Sequence, residues 1–302
     1  MLLMCGVLWG ARFSYRLAFY SRNDKEQDIY AIPPGKQYEN VADVMLENIH
    51  ALSKLPFEQI YITAHDGVKL AARYYHVKDN APVQIQFHGY RGNGLREYSG
   101  GYRMAIRLGL NSIVVDERAH GKSGGHTISF GIKERFDCLD WVNYACDRFG
   151  NETRIILSGV SMGAATVLMA SELNLPSNVI AITADCPYSS PGAIIRKVCK
   201  DLKLPGNALY PFVVLGAWIY GKFKIWESSA VEAVKNTKIP VLLIHGEDDR
   251  FVPCDMSKEI YRACTSNKKL FLFPEAGHGL SYLTDTERYE RVFENFLKEC
   301  GL

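Results

Sequence analysis

Read for the spacing of its apolar positions, the chain changes character near residue 57. From there, short apolar runs rich in β-branched residues recur at 83–87, 112–116, 154–157, 179–184, 241–244 and 269–273. Continuous runs of that length predict parallel strands buried on both faces. Ahead of them, 57–63 and 68–77 flank His65-Asp66-Gly67, and an Asp-Gly pair between two strand-like runs predicts a hairpin. Helical spacing fills the intervals, most plainly over 131–148 and 286–299. The alternation predicts an α/β fold, with a mostly parallel central sheet flanked by helices. No internal repeat or low-complexity segment interrupts it.

Two regions depart from this pattern. Residues 187–230 carry Pro187, Pro191-Gly192 and Pro205-Gly206, then an aromatic stretch with Phe212, Trp218, Tyr220, Phe223 and Trp226. Such an insertion predicts a cap, with Trp218 and Tyr220 as candidates to line a pocket for a short or medium acyl group. The first 56 residues read as an N-terminal helical arm and linker ahead of a domain spanning 57–302, with a helix over 41–55. Residues 1–11 are apolar but fall short of the ~20 residues a spanning helix requires. Arg12 and Arg16 lie four apart, on a different face from Phe13, Leu17 and Tyr20, a pattern that suits peripheral membrane contact through residues 1–20.

Candidate chemistry centres on Gly159-Val160-Ser161-Met162-Gly163, which follows a strand-like run and precedes a helix-like one. A serine on a strand-to-helix turn flanked by glycines can adopt a strained backbone that lifts its hydroxyl clear of the sheet. A base must activate it, and two partners follow in the Ser…Asp/Glu…His order. One is an acid in the loop after 241–244, where Asp248 and Asp249 compete. The other is His278, set between Gly277 and Gly279 after 269–273.

On these residues the chain resembles an α/β-hydrolase. The resemblance covers roughly 57–300, and within the superfamily the chain is similar to the bacterial serine esterase and lipase-like group. It is carried by Gln86-Phe87-His88-Gly89-Tyr90-Arg91-Gly92, by Asp116-Glu117-Arg118-Ala119-His120-Gly121-Lys122-Ser123-Gly124, by the Ser161 turn, by His245-Gly246-Glu247-Asp248-Asp249 through Pro253, and by Gly277-His278-Gly279. The resemblance implies a triad of Ser161, Asp249 and His278, its spacing selecting Asp249 over Asp248. It also implies an oxyanion hole formed by the amides of Met162 and Tyr90. The expected activity is hydrolysis of small-molecule carboxylic esters through an acyl-enzyme. The alternative is a peptidase or thioesterase with the same triad, and an intact triad argues against a purely binding role. His88 reads as a loop anchor, and Asp116, Arg118 and His120 as braces of the neighbouring loop.

Composition narrows the picture further. In 302 residues with 47% hydrophobic content there is ample material for one large core. The +2 net charge is dispersed, which argues against a nucleic-acid partner. Eight cysteines show no C-x-x-C and no zinc-ligand spacing, so they read as reduced thiols of a cytoplasmic protein, with no metal and no cofactor implied. The oligomeric state and the natural substrate leave no signature in the chain.

Overall fold

The computed structural model describes residues 2–22, 28–203 and 205–302. Each of the eight runs picked out above is a strand: β1 (Glu58–Thr63), β2 (Lys69–Tyr75), β3 (Val83–Phe87), β4 (Asn111–Asp116), β5 (Ile155–Val160), β6 (Val179–Asp185), β7 (Val241–Gly246) and β8 (Lys268–Phe273). They form one sheet in the order β1-β2-β4-β3-β5-β6-β7-β8. The β1–β2 hairpin and the β2–β4 pair are antiparallel, and the remaining pairs are parallel.

Thirteen α-helices surround it among the described residues. In the N-terminal arm lie α1 (Leu2–Ala18), α2 (Lys36–Glu39) and α3 (Ala42–Ser53). Next come α4 (Gly94–Tyr98), α5 (Tyr102–Arg107), α6 (Glu134–Phe149) and α7 (Met162–Ala170). The inserted region contains α8 (Pro191–Asp201), α9 (Gly206–Gly216), a π-helical turn (Ala217–Gly221) and α10 (Ala230–Ala233). The chain closes with α11 (Asp255–Ala263), α12 (Ser281–Thr284) and α13 (Thr286–Glu299).

Because successive strand residues face opposite ways, the sheet supplies two cores. Ile85, Ile113, Leu157, Ile182 and Leu243 pack with Trp141 and Val142 of α6, Val167 of α7 and Ile260 of α11. Their alternates Val114, Ile156, Ala181, Leu242 and Ile244 pack with Ile49 and Leu52 of α3, Tyr98 of α4, Met104 of α5 and Phe296 of α13.

A third core sits beyond the carboxyl ends of the strands. There Ile194, Ile195, Val213, Phe223 and Ile225 of the inserted region meet Met162, Val252 and Phe130. Phe19 of the arm is fully buried in the same cluster, edge-on to Phe130 at 5.7 Å and to Phe223 at 5.2 Å between ring centroids. The arm is also tied by its backbone. Ile128 N–H donates to Phe19 O, Ser21 N–H to His126 O, and the Tyr90 hydroxyl to Ala18 O. Gly10 and Gly216 let α1 lie directly on α9, since a Cβ at Gly216 would stand 2.5 Å from Ala11 O. The arm is therefore packed on the domain's upper core through its buried residues Ala11, Ser14 and Phe19. Phe19→Ala is expected to destabilise the protein by about 3–5 kcal/mol, the usual cost of emptying a buried phenylalanine site. Chemical denaturation checks this, and an unchanged midpoint would mean that the arm does not fold with the domain.

Candidate active site

Ser161 ends β5 and begins α7 with φ +54° and ψ −111°, a left-handed backbone that costs a residue with a Cβ of order 1–3 kcal/mol. Neighbouring glycines make the bend possible. A Cβ on Gly159 would come within 2.3 Å of Gly163 C, and one on Gly163 within 2.3 Å of Phe87 O. The Ser161 N–H is held by Asp185 O at 2.8 Å, which ties the turn to the end of β6.

Three side chains converge here from three loops. The Ser161 Oγ lies 2.9 Å from His278 Nε2, and His278 Nδ1 lies 2.6 Å from Asp249 Oδ2. A carboxylate only accepts, so Nδ1 carries the proton and Nε2 is left to accept from the serine hydroxyl. The other Asp249 oxygen accepts from the N–H groups of Phe251 (2.9 Å) and Val252 (2.8 Å). Burial works against ionisation of Asp249, but hydrogen bonds from His245 and His278 outweigh it and hold the carboxyl well below its usual range. Among the described residues the Asp248 side chain makes no comparable contact; its N–H donates to Ala276 O.

His245, which the sequence offered only as part of the resemblance and with no role of its own, is a member of this network. It is fully buried, with Nε2 2.8 Å from Val252 O and 3.3 Å from Asp249 Oδ2, and Nδ1 2.6 Å from Ser257 Oγ. With two acceptors at Nε2, the proton sits there and Ser257 donates to Nδ1. The signal was its place four residues before Asp249.

Across the serine runs the loop after β3. Its amides are mostly engaged: Gly89 N–H with Glu97 Oε2 (2.5 Å), Arg91 N–H with His120 Nε2 (3.0 Å) and Gly92 N–H with Gly89 O (2.9 Å). The Tyr90 N–H lies between them with no protein acceptor among the described residues. Met162, first residue of α7, carries an amide that no carbonyl of its own helix can accept. His88 and His120 are buried neutral rings that each donate from Nδ1 to a neighbouring carbonyl and accept at Nε2 from an amide. Burial lowers both, His120 to about 4. Cys186, Asp249 and His278 bring one ligand atom each within 4.8 Å, but the Asp249 and His278 atoms already bond each other.

Comparison with known proteins points the same way. A family profile described as "alpha/beta hydrolase fold" matches residues 85–198, and one described as "Serine aminopeptidase, S33" matches 217–286. An esterase of Pyrococcus furiosus superposes with a TM-score of 0.67 at 26% identity, covering 83% of this chain and 93% of that one. The chain belongs to the α/β-hydrolase superfamily. Two relatives in sequence are the uncharacterized protein YqkD of Bacillus subtilis and an uncharacterized membrane protein of Saccharomyces cerevisiae. YqkD is 25% identical over 289 residues, covering 95% of this chain and 92% of its own. The yeast protein is 26% identical over 256 residues, covering 82% and 81%.

In this hydrolase a cavity of about 400 Å³ opens on Ser161 and His278, and its walls differ from the expectation. Among the described residues none of its lining comes from 187–230. Trp218 is 57% exposed, while the Tyr220 ring packs against Tyr15 and its hydroxyl reaches Leu8 O. The reason is the arm: α1 and Phe19 occupy the space beneath the inserted region, turning its aromatics toward α1 or solvent. The roof comes instead from Pro33, Pro34, Gln37, Tyr38, Met45 and Asn48, which the sequence offered as linker and helix. This roof also clamps the histidine loop, the Tyr38 hydroxyl donating to His278 O at 3.0 Å and His278 N–H to Gln37 Oε1 at 3.3 Å. Gly163→Ala is expected to cost 1–3 kcal/mol or more by overpacking α7 against β3. Thermal unfolding reads this directly, and a variant of wild-type stability would refute the close approach.

Proposed function

We propose that this hydrolase cleaves carboxylic esters of short to medium acyl chains through an acyl-enzyme formed on Ser161. The reading rests on the unbroken hydrogen-bonded chain from Asp249 through His278 to a strained serine facing a cavity. Ser161 Oγ attacks the ester carbonyl as its proton passes to His278 Nε2. The C–Oγ bond forms, and the tetrahedral oxyanion is met by the N–H groups of Tyr90 and Met162, each worth roughly 3–4 kcal/mol in the transition state. His278 then delivers the proton to the leaving alkoxide as the ester C–O bond breaks. Water, deprotonated by the same ring, releases the acid and restores the serine. Asp249 keeps Nδ1 protonated and stabilises the imidazolium.

Similarity to the Pyrococcus furiosus esterase supports esters as substrates. The aminopeptidase profile supports the second reading, a peptidase or thioesterase with the same residues. Fluorophosphonate labelling followed by matched p-nitrophenyl ester, anilide and thioester panels separates them. Ser161→Ala should abolish labelling and lower kcat by more than a thousandfold. Asp249→Asn should lower kcat by several orders of magnitude, and Asp248→Asn far less. Anilides turned over better than esters would favour the peptidase.

No helix among the described residues is long and apolar enough to cross a membrane. The outer face of α1 nevertheless exposes Met4 (63%), Trp9 (71%), Phe13 (56%) and Leu17 (59%). Trp9 and Phe13 stack at 5.7 Å, and exposed Arg12 and Arg16 stand beside them. We propose that this face rests on an anionic bilayer surface, where apolar insertion and arginine attraction act together. The eight unpaired cysteines suit a reducing, cytoplasmic setting. The protein should sediment with phosphatidylglycerol vesicles and not with phosphatidylcholine ones, less so as salt rises. The double variant Trp9→Ser, Phe13→Ser should stay in the supernatant; its undiminished sedimentation would sink the proposal.

A further inference from the structure

The cavity does not end at the serine. It continues down the sheet face under α4, α5 and α13, where Gln84, Gln86, Ser158, Thr183 and Asp185 line it. All five are buried, between 3% and 7% exposed. Strand register places Gln86 beside Ser158 and Ser158 beside Thr183, so a polar seam crosses a sheet face that also carries the apolar Val114, Ile156, Ala181, Leu242 and Ile244. Ser158 lies on β5 three residues before Ser161, which follows the strand's end, and this puts the seam about 10 Å below the nucleophile.

Its hydrogen bonding is incomplete in a specific way. Ser158 Oγ accepts from Gln84 Nε2 at 2.8 Å and from Thr183 Oγ1 at 2.7 Å. A hydroxyl accepts twice and donates once, so the Ser158 proton is left to give. Among the described residues Gln84 Oε1 is buried without a partner, and the side-chain amide of Gln86 makes no bond to protein. Buried polar groups left unpaired cost about 1–3 kcal/mol each, so such a seam is complete only when something occupies it. Gln84 asks for a donor and Ser158 for an acceptor. A hydroxyl is both. An ammonium offers no acceptor, a carboxylate no donor and an alkyl chain neither.

We propose that this chamber is the acyl subsite and selects acyl chains that carry a hydroxyl group. The inference rests on the esterase reading above and narrows its substrate class. The acyl side is assigned because the residues lining this part of the cavity are buried. The alcohol must leave before water attacks, whereas the acyl group stays bound to Ser161 until the second half-reaction.

The test compares p-nitrophenyl ω-hydroxyhexanoate with the heptanoate, matched in heavy-atom count, using the acetate as reference. Wild type should favour the hydroxyacyl ester by about tenfold in kcat/KM, the value of one hydrogen bond that the alkyl chain leaves unmade. Gln84→Leu, or Ser158→Ala if the first fails to fold, should bring the ratio to one or below. The ratio is read within each variant, so a general loss of active protein cancels. Acetate turnover with equal rates on the matched pair overturns the chamber proposal and leaves the esterase reading standing. Preference for the ω-aminohexanoate ester over the hydroxyacyl one overturns the hydroxyl assignment. Absence of both labelling and turnover on any ester overturns the two together.

Discussion

The close approach of α7 to the central strands is the constraint on which the site depends. With hydrogen in place of Cβ at Gly159 and Gly163, the helix starts almost in contact with β3, and Ser161 is forced into its left-handed conformation. That conformation aims Oγ at His278 and leaves the Met162 N–H at an open helix start. The strain is held by bonds that do not involve substrate, notably Ser161 N–H to Asp185 O, and by the fully buried first turns of α7. Close packing thus keeps the Ser161 hydroxyl oriented, which is what the proposed catalysis by pre-organised groups requires.

Around this point the chain uses buried polar groups with partners as scaffolding. Arg118 links Asp137 and Asp66 beneath the loop after β4, at 2.5 to 2.8 Å in its shortest contacts. Removing one partner would leave a buried charge, so the cluster holds the loop that carries His120 and, through it, the Arg91 amide. Glu97 plays a like part under Gly89, with burial pushing its carboxyl above the ordinary range. The seam of Gln84, Gln86 and Ser158 differs in being unpaired on one side, which is why it reads as a place for ligand.

The N-terminal arm does two jobs that its composition conceals. Its first helix fills the space under the inserted region, and the stretch from Pro33 to Asn48 roofs the cavity. The cavity beside Ser161 is therefore bordered by the arm and the histidine loop it grips, while the inserted helices serve as a platform for α1.

Much of this was legible in the chain. Period-two and continuous apolar runs gave away all eight strands, because a strand buried on both faces has little freedom in composition. The elbow and the order of Ser161, Asp249 and His278 could be read because that chemistry demands particular residues next to turns. The choice between Asp248 and Asp249 came from resemblance; in the folded chain only Asp249 has the buried pocket, the two backbone donors and the His278 contact. His245 and Gln86 entered only as parts of the resemblance, with no role assigned, and Gln84 went unread, although Gln84 and Gln86 alternate within a central strand where apolar residues were expected. Local sequence does not say which buried polar groups will meet. Trp218 and Tyr220 looked like pocket residues because aromatic stretches pack well anywhere. Only the tertiary structure decided what they pack on, since α1, some two hundred residues away in sequence, took the inner surface they would otherwise have faced. Local propensity and turn chemistry are properties of short segments, whereas the shape of a cavity belongs to every element that borders it.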